Sequence, residues 1–163
     1  MSELSEQRID YLFMIEQAIK APSGHNTQPW LFKIGDSEIA IYPDTTKALP
    51  VVDPDNRELF VSLGCAAENL CIAATHKGYA TAMTVTADGI VKIKLSKQEN
   101  ITPEDLFPQI ELRQTNRSVF NGRIIPAENI TILNNISSQP GIGVHFFKNG
   151  TREFETIAEK DYH

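Results

Sequence analysis

The sequence has few of the features that identify a binding partner from composition alone. No run of lysine and arginine is present and the net charge is −6, so the electrostatic signature of a nucleic-acid-binding protein is missing. No uninterrupted apolar run approaches the ~18 residues that a membrane-spanning helix requires. The first residues also lack the basic-then-apolar order of a secretory signal. We therefore expect a soluble, cytoplasmic protein with no nucleic-acid or membrane partner.

Cysteine is scarce, with two residues in 163, and the two thiols are badly placed for joint chemistry. Cys65 and Cys71 are six positions apart in a predicted helix, which puts them about 240° apart around its axis. From one helical face they cannot share a metal ion, and a disulfide between them would not fit helical geometry. We expect two free thiols and no metal site.

The rest of the composition is that of a folded protein. Hydrophobic residues make up 41% of the chain and charged residues 22%, with no low-complexity tract. A domain of this length buries roughly 70% of the surface that its unfolded chain exposes. One sizeable core is therefore expected.

Apolar periodicity and turn residues predict helices and hairpin-linked strands. A first helix is predicted over residues 8–20, with a core-facing set of Ile9, Leu12, Phe13, Ile15 and Ile19. Strands are predicted over 30–34 and 38–42, over 80–87 and 90–95 around the Asp88-Gly89 turn, and over 142–147. Further helices are predicted over 102–112, 126–136 and 151–160. This order favours an α+β or mixed sandwich over a doubly wound parallel sheet.

A helix over residues 54–77 is the strongest single prediction. Asp53-Pro54 provides a cap and a first-turn proline, and a continuous i, i+3, i+4 apolar stripe follows. Gly64, Ala66 and Ala67 are small, so a second backbone could approach the middle of this helix closely. The helix is expected to lie in the interior or in the interface of a homodimer.

One internal similarity suggests duplication. Residues 8–34 and 126–147 both run from a helix through a polar turn with Gln-Pro, at Gln28-Pro29 and Gln139-Pro140, into a strand. The repeat predicts two halves. Residues 1–100 would be the first, and residues 101–163 the start of a second, incomplete one.

The polar loop, residues 21–30, concentrates hydrogen-bonding side chains between the first helix and the first strand. Prolines and a glycine constrain its backbone, as in loops that aim polar groups at a ligand. The alternative is a polar connection with capping Ser23 and Asn26.

The basic segment, residues 113–117, is the second candidate. Arg113, Thr115 and Arg117 alternate, so an extended backbone would place all three on one side. Two guanidinium groups and a hydroxyl suit a phosphate or a ribityl-phosphate tail. The alternative is a solvated basic turn that pairs with Glu111 or other surface acids.

These segments resemble the nitroreductase family. Residues 21–30 are similar to its flavin loop, A-P-S-x-x-N-x-Q-P-W, and residues 113–117 with Phe120 to its R-x-S-x-R/K-x-F motif, with one extra residue before the phenylalanine. Residues 53–58 and 64–70 resemble the central helix of the Acg-like, internally duplicated branch. Residues 125–128 continue the likeness at the next helix, and the motifs come in the order of that branch.

The resemblance implies a nitroreductase-like sandwich that binds FMN, with a mixed or antiparallel sheet, a long central helix and part of a second repeat. The phosphate and ribityl chain would be held by Arg113, Thr115 and Arg117. The flavin ring and ribityl hydroxyls would be lined, from the other half or a second subunit, by Ser23, His25, Asn26 and Gln28.

The implied activity is the NAD(P)H-dependent reduction of nitroaromatic or quinone-like acceptors, by ping-pong hydride transfer through the flavin N5. Such chemistry needs no side-chain acid, base or nucleophile. The sequence agrees, because its histidines are scattered and no Ser-His-Asp or metal-ligand spacing occurs.

Complete members of the duplicated branch are longer, and this chain lacks counterparts of their second central helix, closing strand and C-terminal basic residues. We expect a homodimer to supply what is missing. Two alternatives stay open: a protein that holds flavin without turnover, and an inactive, shortened member whose surface is an interaction face.

Overall fold

The computed structural model describes residues 5–119, 121–135 and 143–160, with Lys160 described by its backbone alone. The chain divides into two compact units, Met1–Asn116 and Arg117–His163. The boundary of halves at residue 100, inferred from the internal repeat, stays a prediction.

A four-stranded antiparallel sheet forms the frame of the first unit. Its strands are β1 (Trp30–Ile34), β2 (Glu38–Pro43), β3 (Tyr79–Val85) and β4 (Val91–Lys97), in the spatial order β1-β2-β4-β3. Trp30 pairs with Pro43 across the first hairpin, and Val85 with Val91 across the second. Gly89 has φ +78° in the second turn, a conformation that favours glycine. The α+β class and both predicted hairpins are confirmed.

The long helix α2 (Arg57–His76) is the centre of the core. Leu63, Ala66, Ala67 and Leu70 are fully buried in the cluster that α2 shares with the sheet and the first helix. By length and composition α2 would pass as a membrane span, yet half of its apolar window is buried inside the fold. It is the core helix of this unit.

Part of the interface expectation for this helix is wrong. Ala66 and Ala67 cannot face a second chain, since the protein's own core already covers them. Gly64 is exposed, and a Cβ added to it would meet no atom within 4 Å. Small residues thus serve close packing inside the chain at two positions and leave an open surface at the third.

The first helix, α1 (Glu6–Ala18), presents a different face to the core from the one expected. Its buried residues are Asp10, Tyr11, Met14, Gln17 and Ala18. Of the predicted set, Phe13 and Ile15 pack partly against the core, whereas Ile9, Leu12 and Ile19 are exposed. The prediction for these three is wrong because α1 carries two apolar stripes, and the stripe that contains a charged residue is the inner one.

Three shorter helices follow the sheet: α3 (Phe107–Leu112) in the first unit, and α4 (Ala127–Asn134) and α5 (Arg152–Lys160) in the second. All three were predicted, but α3 begins five positions later than expected. The strand predicted over 142–147 is wrong for residues 143–147, which have no regular structure. Phe120, Ile142 and the second turn at 137–141, with Gln139-Pro140, lie outside the described residues.

Candidate functional site

The polar loop has an unusual backbone. Among the described residues, four non-glycine residues have positive φ, and three of them lie in this loop: His25 at +50°, Asn26 at +57° and Gln28 at +52°. Left-handed conformations are uncommon for such residues, and they cluster at functional sites where the surrounding structure enforces them. The side chains of all three are exposed. The loop therefore holds polar groups at the surface in a shape that it would not adopt alone.

Hydrogen bonds from three directions enforce this shape. Within the loop, the Ser23 Oγ accepts from the backbone N–H of Gln28 at 2.9 Å. From α2, the buried hydroxyl of Ser62 accepts from the N–H of Gly24 at 3.3 Å. From the turn after β2, the Lys47 ammonium donates to the backbone carbonyl of Gln28 at 3.2 Å.

Gly24 lies where the loop meets the start of α2, and a larger residue there would require the exposed Glu58 side chain to move. A Cβ at this position would lie 2.8 Å from the Glu58 Oε2, which is closer than atoms normally approach. Ser62 is anchored in turn, because its hydroxyl donates to the carbonyl of Glu58 at 2.7 Å. The loop is therefore docked on the first turns of the core helix.

Arg113 lies beside the beginning of this loop in the same chain. Its Nη2 donates to the backbone carbonyl of Lys20 at 3.0 Å, one residue before the loop starts. Its Nη1 donates to the hydroxyl of Thr115 at 3.2 Å. The fold thus brings the start of the basic segment next to the start of the polar loop.

Glu111 was one of the partners that the alternative interpretation offered for the basic segment. Its carboxylate pairs with the ammonium of Lys20 instead. The pairing and the Arg113 contact both fix the end of α3 to the end of α1. Arg117 is exposed and belongs to the second unit.

Neither thiol chemistry nor metal chemistry has a site among the described residues. Cys65 and Cys71 are free, as predicted, and half-buried. Burial raises the pKa of the Cys71 thiol, so at neutral pH it is protonated and a poor nucleophile. In the described part of the chain, no group of three histidine, cysteine, aspartate or glutamate residues could hold a metal ion.

The chain is similar to two curated proteins of Mycobacterium tuberculosis, from strains CDC 1551 and H37Rv, each named "Putative NAD(P)H nitroreductase". Each is 25% identical over 131 residues, which are 77% of this chain and 38% of the relative. This similarity supports the resemblance to the nitroreductase family that the sequence motifs indicated. The chain thus spans well under half the length of these relatives.

A solved "Nitroreductase Family Protein" from Streptococcus pneumoniae TIGR4 aligns with a TM-score of 0.44 and 19% identity, over 71% of this chain and 92% of that one. No family model matches the sequence.

Sequence reasoning missed several residues that shape the candidate site. Lys47, Glu58 and Ser62 all contact the polar loop, but they lie in segments interpreted as a plain loop and a core helix. The predicted hairpin of strands 30–34 and 38–42 indicated that the chain returns beside residue 30. It gave no information on which later side chain would reach Gln28.

A small pocket lies between the polar loop, the turn at Thr45–Lys47 and the start of α2. Its empty volume is about 190 Å³, solvent at its open mouth included, and its lining contains Gly24, Thr27, Lys47, Asp53 and Ser62. Pockets that enclose cofactor-sized ligands occupy roughly 300–1,000 Å³. This pocket could hold an edge of such a ligand and could not enclose it.

Proposed function

We propose that this protein is an FMN-dependent oxidoreductase of the nitroreductase type, with NAD(P)H and a nitroaromatic or quinone-like compound as its substrates. The observation that carries the proposal is the contact of Arg113 with Lys20, which joins the two cofactor-type segments within one chain. The sequence similarity to curated nitroreductases supports it. We place the activity in the cytoplasm.

The donor set of the first unit suits a phosphorylated flavin. Arg113 and Thr115 offer a charged fork and a hydroxyl for the phosphate. Arg117, which belongs to the second unit, is the further cation that the resemblance to the family implies. The exposed His25, Asn26 and Gln28, with Ser23 behind them, offer donors and acceptors to the ribityl hydroxyls and the ring edge. When bound at these residues, FMN would supply the hydride-transfer chemistry between NAD(P)H and the acceptor. The residues of this chain would bind and orient the two substrates.

A homodimer belongs to this proposal. The candidate side chains are exposed and the neighbouring pocket is small, so a second copy would have to cover the flavin and exclude water. The interpretation of residues 1–100 and 101–163 as one full and one partial half of a duplicated fold, of the Acg-like type, is part of the same proposal.

Flavin binding is tested with the purified full-length chain. We expect a flavin absorbance spectrum, or saturable binding of added FMN, and at least tenfold weaker binding when Arg113 and Arg117 are both changed to Ala, because each loses a charged contact to phosphate. Arg8→Ala, which removes an exposed arginine on α1, is the matched control. An unchanged dissociation constant in the double variant, with a wild-type circular dichroism spectrum, would exclude the site.

The alternative, a protein that holds flavin without turnover, shares the same site. NAD(P)H oxidation by the FMN-loaded protein with a nitroaromatic acceptor separates the two. Flavin that stays oxidised under excess NADH and NADPH would favour the alternative.

A further inference from the structure

Hydrogen bonds to both the N–H and the carbonyl of Gln28 hold its backbone in place. Its N–H donates to the Ser23 hydroxyl at 2.9 Å, and its carbonyl accepts from the Lys47 ammonium at 3.2 Å and from the N–H of Trp30 at 3.0 Å. Its own side chain is exposed and takes part in none of these bonds. The bonds fix the backbone and leave the amide group of Gln28 directed outward.

Lys47 reaches this position because its own turn is docked on the loop. The 3-10 turn Thr45–Lys47 begins after Asp44, whose carboxylate accepts from the N–H of Thr46 at 3.2 Å. The N–H of Asp44 in turn donates to the carbonyl of Pro29 at 3.0 Å. Two consecutive carbonyls of the polar loop, those of Gln28 and Pro29, are thus satisfied by one short segment after β2.

The left-handed conformation of Gln28 makes these bonds necessary. A residue with a Cβ readily leaves the left-handed region unless hydrogen bonds from its surroundings hold its peptide groups in place. Loss of the Lys47 ammonium would leave the Gln28 carbonyl with the N–H of Trp30. Gln28 could then relax and turn its side chain, and that of Asn26 two residues earlier, away from the present direction.

We propose that Lys47 is a positioning residue of the flavin site, which holds Gln28 in the left-handed conformation together with Ser23 and so sets the direction of the polar side chains of the loop. The inference takes flavin as the ligand and in this respect rests on the proposed function. It assigns Lys47 no contact with that ligand.

A direct contact between the Lys47 ammonium and the phosphate is the competing role, and the choice of flavin separates the two. Riboflavin has the ring and ribityl chain of FMN but no phosphate. Loss of a positioning residue weakens the binding of both flavins by the same factor, whereas loss of a phosphate contact weakens the binding of FMN alone.

The experiment compares the wild type with Lys47→Met, which removes the charged donor, and Lys47→Arg, which keeps one. Lys33→Met, on the exposed side of β1, is the matched control. Dissociation constants for FMN and riboflavin are measured by titration of the apo protein. We expect Lys47→Met to weaken the binding of both flavins by roughly three- to tenfold, as for one exposed hydrogen bond, and Lys47→Arg to remain near the wild type.

A second readout needs no flavin. Trp30 is the single tryptophan, lies two residues after Gln28 and is 7% exposed, so its emission reports on the loop. We expect Lys47→Met to shift this emission and to speed amide exchange at Gln28 in the apo protein, and Lys33→Met to do neither.

The outcomes are distinct. Weaker FMN binding with unchanged riboflavin binding would overturn the positioning role. Unchanged Trp30 emission and unchanged amide exchange at Gln28 would overturn it as well. If the wild type binds neither flavin, the proposed function fails, and the emission and exchange data alone then decide whether Lys47 holds the loop.

Discussion

Asp10 is a charged residue on the inner face of α1, where apolar residues were expected. Its carboxylate accepts from the Tyr79 hydroxyl at 3.2 Å and from the Lys97 ammonium at 3.1 Å, and the Lys77 ammonium lies 3.8 Å away. A buried carboxylate is tolerated when it is paired and hydrogen-bonded in this way. The side chain thus joins α1 to both ends of the turn between α2 and β3, and to the end of β4.

Tyr79 gives this cluster a measurable dependence on pH. Burial, and then the negative charge of Asp10, raise the pKa of Tyr79 from 10.0 to about 12. Because the folded-state pKa is the higher one, the contribution of neutral Tyr79 to stability is complete below pH 10 and is lost as the pH rises through 12.

We predict that Tyr79→Phe lowers the free energy of unfolding by about 1 kcal/mol at pH 8, since one hydrogen bond to a carboxylate is lost. The difference between wild type and variant should shrink as the pH rises above 10. Urea unfolding at pH 8 and at pH 11 measures this, with Tyr42→Phe on β2 as the control. A difference that stays constant over this range would show that folding does not raise the pKa of Tyr79.

At the scale of elements, the start of α2 depends on a residue outside the helix. The helix begins at Arg57 after Asn56, which has φ +56° and offers no side-chain cap. Asp53 supplies the cap from four positions earlier, because its two carboxylate oxygens accept from the N–H groups of Glu58 at 3.1 Å and of Leu59 at 3.0 Å. The prediction that Asp53 caps this helix is confirmed, although the helix begins at Arg57, three residues later than expected.

Asp53→Ala should lower the free energy of unfolding by about 1–2 kcal/mol, because two first-turn donors lose their acceptor next to a buried site. The neighbouring exposed Asp55→Ala should change it by no more than about 0.5 kcal/mol. Both are read from thermal or urea unfolding followed by circular dichroism. Equal effects of the two substitutions would refute the capping role of Asp53.

The second hairpin shows how a turn is matched to a helix. The Phe60 ring on α2 occupies the space that a Cβ at Gly89 would need. Gly89 therefore serves the positive φ of the turn and also the approach of Phe60. The hairpin was predicted correctly from Asp88-Gly89 because the turn requires a positive φ at Gly89.

At the scale of the whole molecule, the exposed side of α2 is the surface on which the homodimer proposal is tested. Gly64 faces open space, and its exposed neighbours include the apolar Phe60 and Val61. Glycine inside a helix costs roughly 1 kcal/mol relative to alanine, so its presence here calls for a reason other than helix stability.

If two chains meet at this face, Gly64→Gln should dissociate them and stabilise the isolated chain by roughly 0.5–1 kcal/mol, because Gln is the better helix former. Light scattering over a concentration series gives the mass, and urea unfolding gives the stability. Glu68→Gln, on the exposed side of the same helix, is the control for surface changes. A dimer that persists in Gly64→Gln would place the interface elsewhere.

Local sequence patterns determined the order of the elements up to α4, both hairpins of the sheet and the core helix, because apolar periodicity, capping residues and turn residues act over a few neighbouring positions. The same patterns indicated the polar loop and the basic segment as the two ligand-type regions. They were sufficient for the α+β class.

Only the tertiary structure decided which face of α1 is buried, because the choice depends on whether Asp10 finds Tyr79 and Lys97, residues about seventy and ninety positions away. It likewise decided that Arg113 meets Lys20 and that Lys47 meets Gln28. Hydrogen bonds between distant side chains and backbone carbonyls leave no periodic trace in a sequence, since either partner could be satisfied by water until the chain is folded.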